Sequence, residues 1–209
     1  MDIYEAINTR RTVRDFEDRQ IDMAIIERLI AAGLKAPTND HMRNWEFVIV
    51  SKDKRAEILS IIPETFSKTE VGKWLDSWGS TDNVQRDMYL DAVPKQYAML
   101  YNAGCLILPF FRKEGSLLHP KTLSSLNDFA SIWCCIENIL LAAAAEGIYG
   151  VTRIPMENES LHIKNMVNHP DNYIMPCYIA LGYPSENAAA PNQKEVFPKD
   201  KMHMDVWQH

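Results

Sequence analysis

From Asn127 to Glu146 the chain reads NDFASIWCCIENILLAAAAE, a helical stretch that is apolar on most sides and is followed by Gly147. A helix of that kind has to be buried, either at the centre of a fold or across a subunit contact. Glycine is the residue that most readily ends a helix in the left-handed conformation, so Gly147 predicts where this one stops. Around it, three segments rich in β-branched and aromatic residues read as buried strands: Trp45 to Val50, Gly104 to Phe111 and Tyr173 to Pro184. Tyr149 to Ile154 follows the helix without an assigned element.

Residues 22 to 35 place Ile25, Ile26, Leu29, Ile30 and Leu34 at helical spacing behind Asp22, a good capping residue. Pro37 should stop that helix by Ala36. Residues 53–62, 85–101 and roughly 159–167 also read as helices. Between the first two of these, residues 63–84 show no clean period and carry Gly72, Trp74, Trp78 and Gly79, the pattern of an insertion or lid. Residues 185–209 are too polar for a core of their own yet include Met202, Met204, Val206 and Trp207. Such a tail is expected to lie against a surface, for example that of a partner subunit. With no internal repeat or linker, residues 1–209 read as one domain.

Charge narrows the possible partners. The chain has 22 basic and 28 acidic residues, a net charge of -6, so no general attraction to nucleic acid or anionic lipid is expected. The apolar runs Cys105 to Phe111 and Ile139 to Ala145 are far shorter than the roughly 20 residues that span a bilayer. Asp2 and Glu5 stand where an export signal would be basic and then apolar. The four cysteines show no CxxC spacing, which predicts free thiols in a reducing cytoplasm. The six histidines also lack ligand spacing, so no metal site is expected.

Three constellations carry candidate chemistry. The first is RRTVRDF, Arg10 to Phe16, with three arginines in five positions and a hydroxyl at Thr12. Guanidinium forks match phosphate oxygens in pairs, although a solvated face pairing with Asp15, Glu17 and Asp18 would use the same residues. The second is APTNDHMRNW, Ala36 to Trp45, which packs Thr38, Asn39, His41, Arg43 and Asn44 between a helix end and a buried strand. Polar groups there need partners, and a ligand is one source; a plain connecting loop is the other reading. The third is EGIYGVTRIP, Glu146 to Pro155, where glycines permit close backbone approach to a flat ring. Its spacing is not GxGxxG, and no strand precedes it, so a dinucleotide fold is rejected.

In this order the three segments, together with IALGYPSE at Ile179 to Glu186, resemble the nitroreductase family: a paired basic motif, an Ala-Pro turn, a Trp entering a strand, and the later helix end. The resemblance implies an α+β fold with a mostly antiparallel central sheet, helices around it, and C-terminal tails exchanged in a homodimer. It implies FMN at the dimer interface. Arg10 would hold the phosphate with Thr12 and, as a helper, Arg11, while Arg14 would face the pyrimidine edge. Pro37, Thr38, Asn39 and His41 would reach FMN from the second subunit, with Arg43 in the same turn. The backbone of Arg153 and Ile154 would lie near the reactive ring nitrogen, and Lys199 and Lys201 in the tail would complete the phosphate site, with Lys194 a competitor.

The activity implied is hydride transfer from NADH or NADPH through FMN to a small acceptor such as a nitroaromatic, a quinone or free flavin. That chemistry belongs to the cofactor and requires no catalytic side chain. The turn departs from the family pattern at His41, Arg43 and Asn44, which leaves another flavin reaction, such as an oxidase, a dehalogenase or a flavin-fragmenting enzyme, or a non-catalytic flavin protein, as alternatives. Phe66, Trp74 and Trp78 of the lid are candidates to stack on the acceptor.

Overall fold

Antiparallel pairing organises the molecule. The computed structural model describes residues 1–38, 41–189, 191 and 193–207. Among them β1 (Trp45–Val50), β2 (Cys105–Arg112), β3 (Tyr149–Arg153), β4 (Tyr173–Ile174) and β5 (Tyr178–Gly182) form one sheet in the order β1-β2-β5-β3. β1 lies along β2 from Trp45 opposite Phe111 to Val50 opposite Leu106. The other edge of β2 is shared: β5 takes Cys105 to Ile107 and β4 takes Phe111 and Arg112. Pro109 falls in the gap between them. A proline has no N–H to give a ladder; Pro176 stands between β4 and β5, and the strand expected over Tyr173 to Pro184 is accordingly two strands.

Alternation along β2 and β5 sorts the core into two layers. Cys105, Ile107, Phe111, Ile179 and Leu181 face α2 (Met23–Gly33) and α7 (Asn127–Ala145). Leu106, Leu108, Phe110, Tyr178 and Ala180 face the opposite layer of α3 (Lys52–Ile58), α6 (Gln96–Tyr101) and α8 (Glu157–Val167). There the buried Arg55 donates to the carbonyls of Tyr101 and Ala103 at the end of α6, where a cation offsets the negative end of the helix. The α+β architecture expected from the resemblance is the one observed.

The long apolar helix is the spine of the first layer. α7 packs on α2, β2 and β3, and a Cβ at Gly33 would stand 2.7 Å from Ile139 Cγ1, so α2 and α7 touch through a glycine. Gly147 has φ +72° and lets Ile148 donate back to Ala143 O at 2.9 Å. By length and a mean hydropathy of 1.4, Leu123–Ala145 would be apolar enough to cross a membrane. Its inner face is instead taken up by the sheet and α2, and its outer face shows Ala130, Cys134, Glu137 and Ala145.

Two helices go beyond the sequence reading. α1 (Ile3–Thr9) starts in a capping box between Asp2 and Glu5, and α4 (Lys68–Ser77) in one between Ser67 and Glu70. The segment read as irregular is thus largely helical, buried only through Val71 and Leu75. The single helix expected over 85–101 breaks at Val93 to Lys95 into α5 (Asn83–Ala92) and α6, because Pro94 withholds an N–H. α3 ends at Ile58 and α2 at Gly33, both earlier than expected, and Asp22 sits at the cap of α2 without a side-chain hydrogen bond.

Candidate functional site

After α1 the chain turns extended and runs beside β3. Thr12 pairs in parallel with Gly150, and Val13 N–H donates to Gly150 O at 3.2 Å. Two of the three segments singled out in the sequence therefore meet at one sheet edge. The glycine at this point of β3 serves its pairing with β5, since a Cβ at Gly150 would lie 2.6 Å from Ala180 O.

The arginines of the run go different ways. Arg10 Nε reaches Glu137 Oε1 on α7 at 3.3 Å, and Arg11 donates to Gln193 Oε1 at 2.6 Å. Arg14 is buried, with 9% of its surface exposed. Its Nη1 donates to Asp91 Oδ2 at 3.2 Å, while its buried Nε has no hydrogen-bond partner among the described residues. Asp91 also accepts from Lys95, whose Nζ lies 2.6 Å from Asp91 Oδ1 and 2.6 Å from Asp15 Oδ2. Burial would depress the Lys95 ammonium, but the bonds to Asp15 and Asp91 outweigh it and hold it above its ordinary value.

At the other end of β3 the side chain of Arg153 is fully committed. It forms a fork with Glu159 at 2.5 and 2.7 Å, and its Nε donates to Gln96 Oε1 at 2.9 Å. Tyr178 donates its hydroxyl to the same carboxylate at 3.2 Å. Burial and the neighbouring Glu159 carboxylate raise the Tyr178 hydroxyl well above its usual range. Only the backbone at Arg153 and the exposed Ile154 remain for a ligand.

The turn before β1 is held by unusual backbone. His41 and Arg43 have φ of 56° and 44°, and Arg43 donates to Leu34 O at 2.8 Å and to His41 O at 3.3 Å. Arg43 thus serves the negative end of α2, the role expected of a cation there. Pro37 and Thr38 border a recess on α7 with Asn127, Ser131 and Cys134; Asn39 lies outside the described residues. The turn meets α7 near Ser131 and the arginine run meets it at Glu137, about 9 Å apart along the axis at 1.5 Å per residue. In the tail, Lys194 pairs with Asp82 at 3.2 Å and Lys199 sits over the Phe197 ring at 5.6 Å. Lys201 is exposed.

A cleft of about 580 Å³ opens between α4 and the start of α8. Phe66, Trp74, Val93 and Met156 give it apolar walls, and the Arg153–Glu159 pair closes one side. Trp74 lies against Trp78 at 3.8 Å between ring centroids, and Tyr89 meets both edge-on. Phe66 and Trp74 line this cleft, and Trp78, which packs on Trp74, does not. Cys105, Cys135 and Cys177 are buried, and burial pushes each thiol up to about 12, which leaves them inert as nucleophiles.

Asp91, Lys95, Gln96, Glu159 and Tyr178 were not singled out from the sequence. Only the Asp91–Lys95 spacing of i, i+4 gave a local hint; Arg14 and Asp91 are 77 positions apart.

The fold is that of an α+β protein whose arginine run is laid against the edge of a glycine-bearing strand. The chain belongs to the Nitroreductase family, which it matches over residues 7–183. It is 28% identical over 214 residues to a Methanothermobacter thermautotrophicus protein provisionally assigned by name as NADH dehydrogenase/NAD(P)H nitroreductase, covering 99% of this chain and 88% of that one. Human iodotyrosine deiodinase 1 is 27% identical over 212 residues, 98% of this chain and 68% of that protein. Among solved structures, oxidised iodotyrosine deiodinase bound to FMN and 3-iodo-L-tyrosine superposes with a TM-score of 0.71 at 19% identity, covering 99% of this chain and all of that one.

Proposed function

We propose that this chain is an FMN-dependent oxidoreductase, active as a homodimer, that passes hydride from NADH or NADPH to a small uncharged acceptor. The observation that carries the reading is Arg14: a nearly buried guanidinium beside the edge of β3, with one oxygen partner and an orphaned Nε. Nε is shut off from any ligand, as is the equally unpartnered Nε of Arg55, so an acceptor-rich ring edge would meet Arg14 at the outer nitrogens of its guanidinium. The residues present fit the group. Arg10 and Arg11 would take the phosphate, Thr12 would add a hydroxyl, Arg14 would face the pyrimidine edge, and the backbone at Arg153 and Ile154 would face the ring.

FMN held here would supply the hydride-transfer chemistry. What this chain supplies is placement and charge: a fixed cation at Arg14 favours negative charge near the pyrimidine edge, and the cleft beneath α4 offers apolar walls to the acceptor. The homodimer is supported by Ile3, Tyr4 and Ile7, exposed on α1 next to the outer face of α7. A second copy there would cover them and bring in its own turn at Pro37, Thr38, Asn39 and His41. The exposed Val196, Phe197, Met202, Val206 and Trp207 of the tail fit exchange with that copy, which would carry Lys199 and Lys201 to the phosphate.

The relation to the deiodinases makes reductive dehalogenation of an amino acid a second reading. The cleft speaks against it, because among the described residues its one cationic lining residue is Arg153, already paired with Glu159; an acceptor carboxylate would have no free partner among them. Purified protein mixed with FMN is expected to hold a chromophore absorbing at about 450 nm. NADH or NADPH without oxygen should bleach it, and a quinone should restore it faster than iodotyrosine. Protein that gains no such absorbance would overturn the cofactor assignment, and bound FMN that neither nicotinamide bleaches would overturn the activity.

A further inference from the structure

We propose that Asp91 and Lys95 act together as a regulator of Arg14, setting how much of its positive charge reaches bound FMN, with Lys95 the positioning residue. The inference rests on the placement of FMN against Arg14 given above. Two arginines of this chain have carboxylate partners at buried positions, and they are partnered differently. Arg153 holds both oxygens of Glu159 at 2.5 and 2.7 Å, a dedicated fork that neutralises it. Arg14 has one oxygen of Asp91, end-on, at 3.2 Å.

Asp91 does not turn its second oxygen to Arg14 because Lys95 occupies it at 2.6 Å. Lys95 is held in turn by Asp15 at 2.6 Å. Asp91 and Lys95 flank the break at Val93 and Pro94 between α5 and α6, so their spacing is fixed by backbone. The four charges sum to zero, yet they are laid out so that Lys95 draws the carboxylate away and Arg14 keeps an uncompensated side. Arg14 has 8% of its side chain exposed, against 31% for Lys95 and 32% for Asp91. The cation that matters is thus the dry one, and the pair that tunes it forms the wetter wall, where effects are moderated by solvent.

The sign of each perturbation follows. Lys95→Met releases Asp91 to fork onto Arg14, neutralising it and weakening the preference for the reduced, more negative cofactor. Asp91→Asn removes the counter-charge and strengthens that preference. Each change is expected to alter the ratio of affinities for reduced and oxidised FMN by about three- to tenfold, which at 29.6 mV per tenfold for a two-electron couple is ~15–30 mV.

The experiment is the midpoint potential of bound FMN, by equilibration with redox dyes, together with FMN affinity by fluorescence titration. Both are measured for wild type, Lys95→Met, Lys95→Arg, Asp91→Asn and Arg14→Lys, and for Lys95→Met and Asp91→Asn combined with Arg14→Lys. The expected result is a lower potential for Lys95→Met, a higher one for Asp91→Asn, and a wild-type value for Lys95→Arg. Both shifts should shrink by at least half in the Arg14→Lys background. Shifts that persist undiminished in that background mean direct action on the cofactor and overturn the proposal, as do shifts of equal sign or none, while a lower affinity in Arg14→Lys would leave the FMN site standing. If Arg14→Lys changes neither affinity nor potential, the assignment of Arg14 to the cofactor fails and this inference fails with it. Should Asp91→Asn not fold, the comparison of Lys95→Met with Lys95→Arg decides alone.

Discussion

Replacing Glu159 with Gln tests whether the Arg153 cluster is a structural clamp. The side chains of Arg153 and Glu159 are 8% and 4% exposed, and the carboxylate accepts two bonds from Arg153 and one from Tyr178. Gln keeps the volume and one acceptor oxygen but leaves a buried guanidinium without its counter-charge. Breaking a buried pair from one side costs about 3–5 kcal/mol. Gln96 still holds Arg153 Nε, so the lower end, ~3 kcal/mol, is expected. For a chain of this size that corresponds to a fall of roughly 6–12 °C in melting temperature. Urea unfolding followed by far-UV circular dichroism, at fixed protein and FMN concentration, would read it directly. The double variant Arg153→Met with Glu159→Leu removes both charges, and at least half of the loss should return, because an apolar pair of similar volume avoids the desolvation cost. A Glu159→Gln variant within 1 kcal/mol of wild type, or a double variant as unstable as the single, would refute the reasoning.

Three further outcomes follow from the same geometry. Gly150→Ala puts a Cβ 2.6 Å from Ala180 O and from Leu181 Cδ2; by straining the β3–β5 pairing it should cost ~1–3 kcal/mol in urea unfolding, and an unchanged midpoint would contradict this. Arg14→Ala is expected to reduce FMN affinity by roughly ten- to a hundredfold, the worth of a charge-assisted hydrogen bond of about 1.5–3 kcal/mol, measured by fluorescence titration; unchanged affinity would remove Arg14 from the site. Stability should fall in alkali. Cys105, Cys135 and Cys177 are raised to about 12 and Tyr178 is raised further by burial. The unfolded chain therefore loses these protons first, and the stability present below pH ~8.5 is lost as pH rises toward the folded values, by at most about 1.4 kcal/mol per pH unit for each group. A flat urea midpoint between pH 8 and 11 would contradict this.

How much of this was legible beforehand depended on how local each cause was. α7, β1 and β2 announce themselves because burial on one or both faces imposes a pattern within each segment. α1 and α4 bury little, only Ala6 in one and Val71 and Leu75 in the other, so periodicity could not reveal them; their capping boxes, Asp2 with Glu5 and Ser67 with Glu70, were the signal available. The division of β4 from β5 had a local mark in Pro176, which lies between the two strands, and the single-strand reading passed over it because apolar and aromatic residues flank it on both sides. The arginine run could be read as candidate anion chemistry because its three guanidinium groups are neighbours in the chain.

Which arginine keeps its charge could not be read that way. Arg14 and Arg153 are the same residue type, each adjoining a motif of the same family pattern, and each is buried with a carboxylate in reach. Arg153 meets its carboxylate six positions on, where β3 gives way to α8, a geometry that turns both oxygens toward one guanidinium. Arg14 meets Asp91 from across the fold, after Lys95 has claimed half of it. A fork spends the charge inside the protein, and an end-on contact to a shared carboxylate leaves it for something else. The difference between a structural cation and one available to a ligand therefore resides in the partner's other bonds.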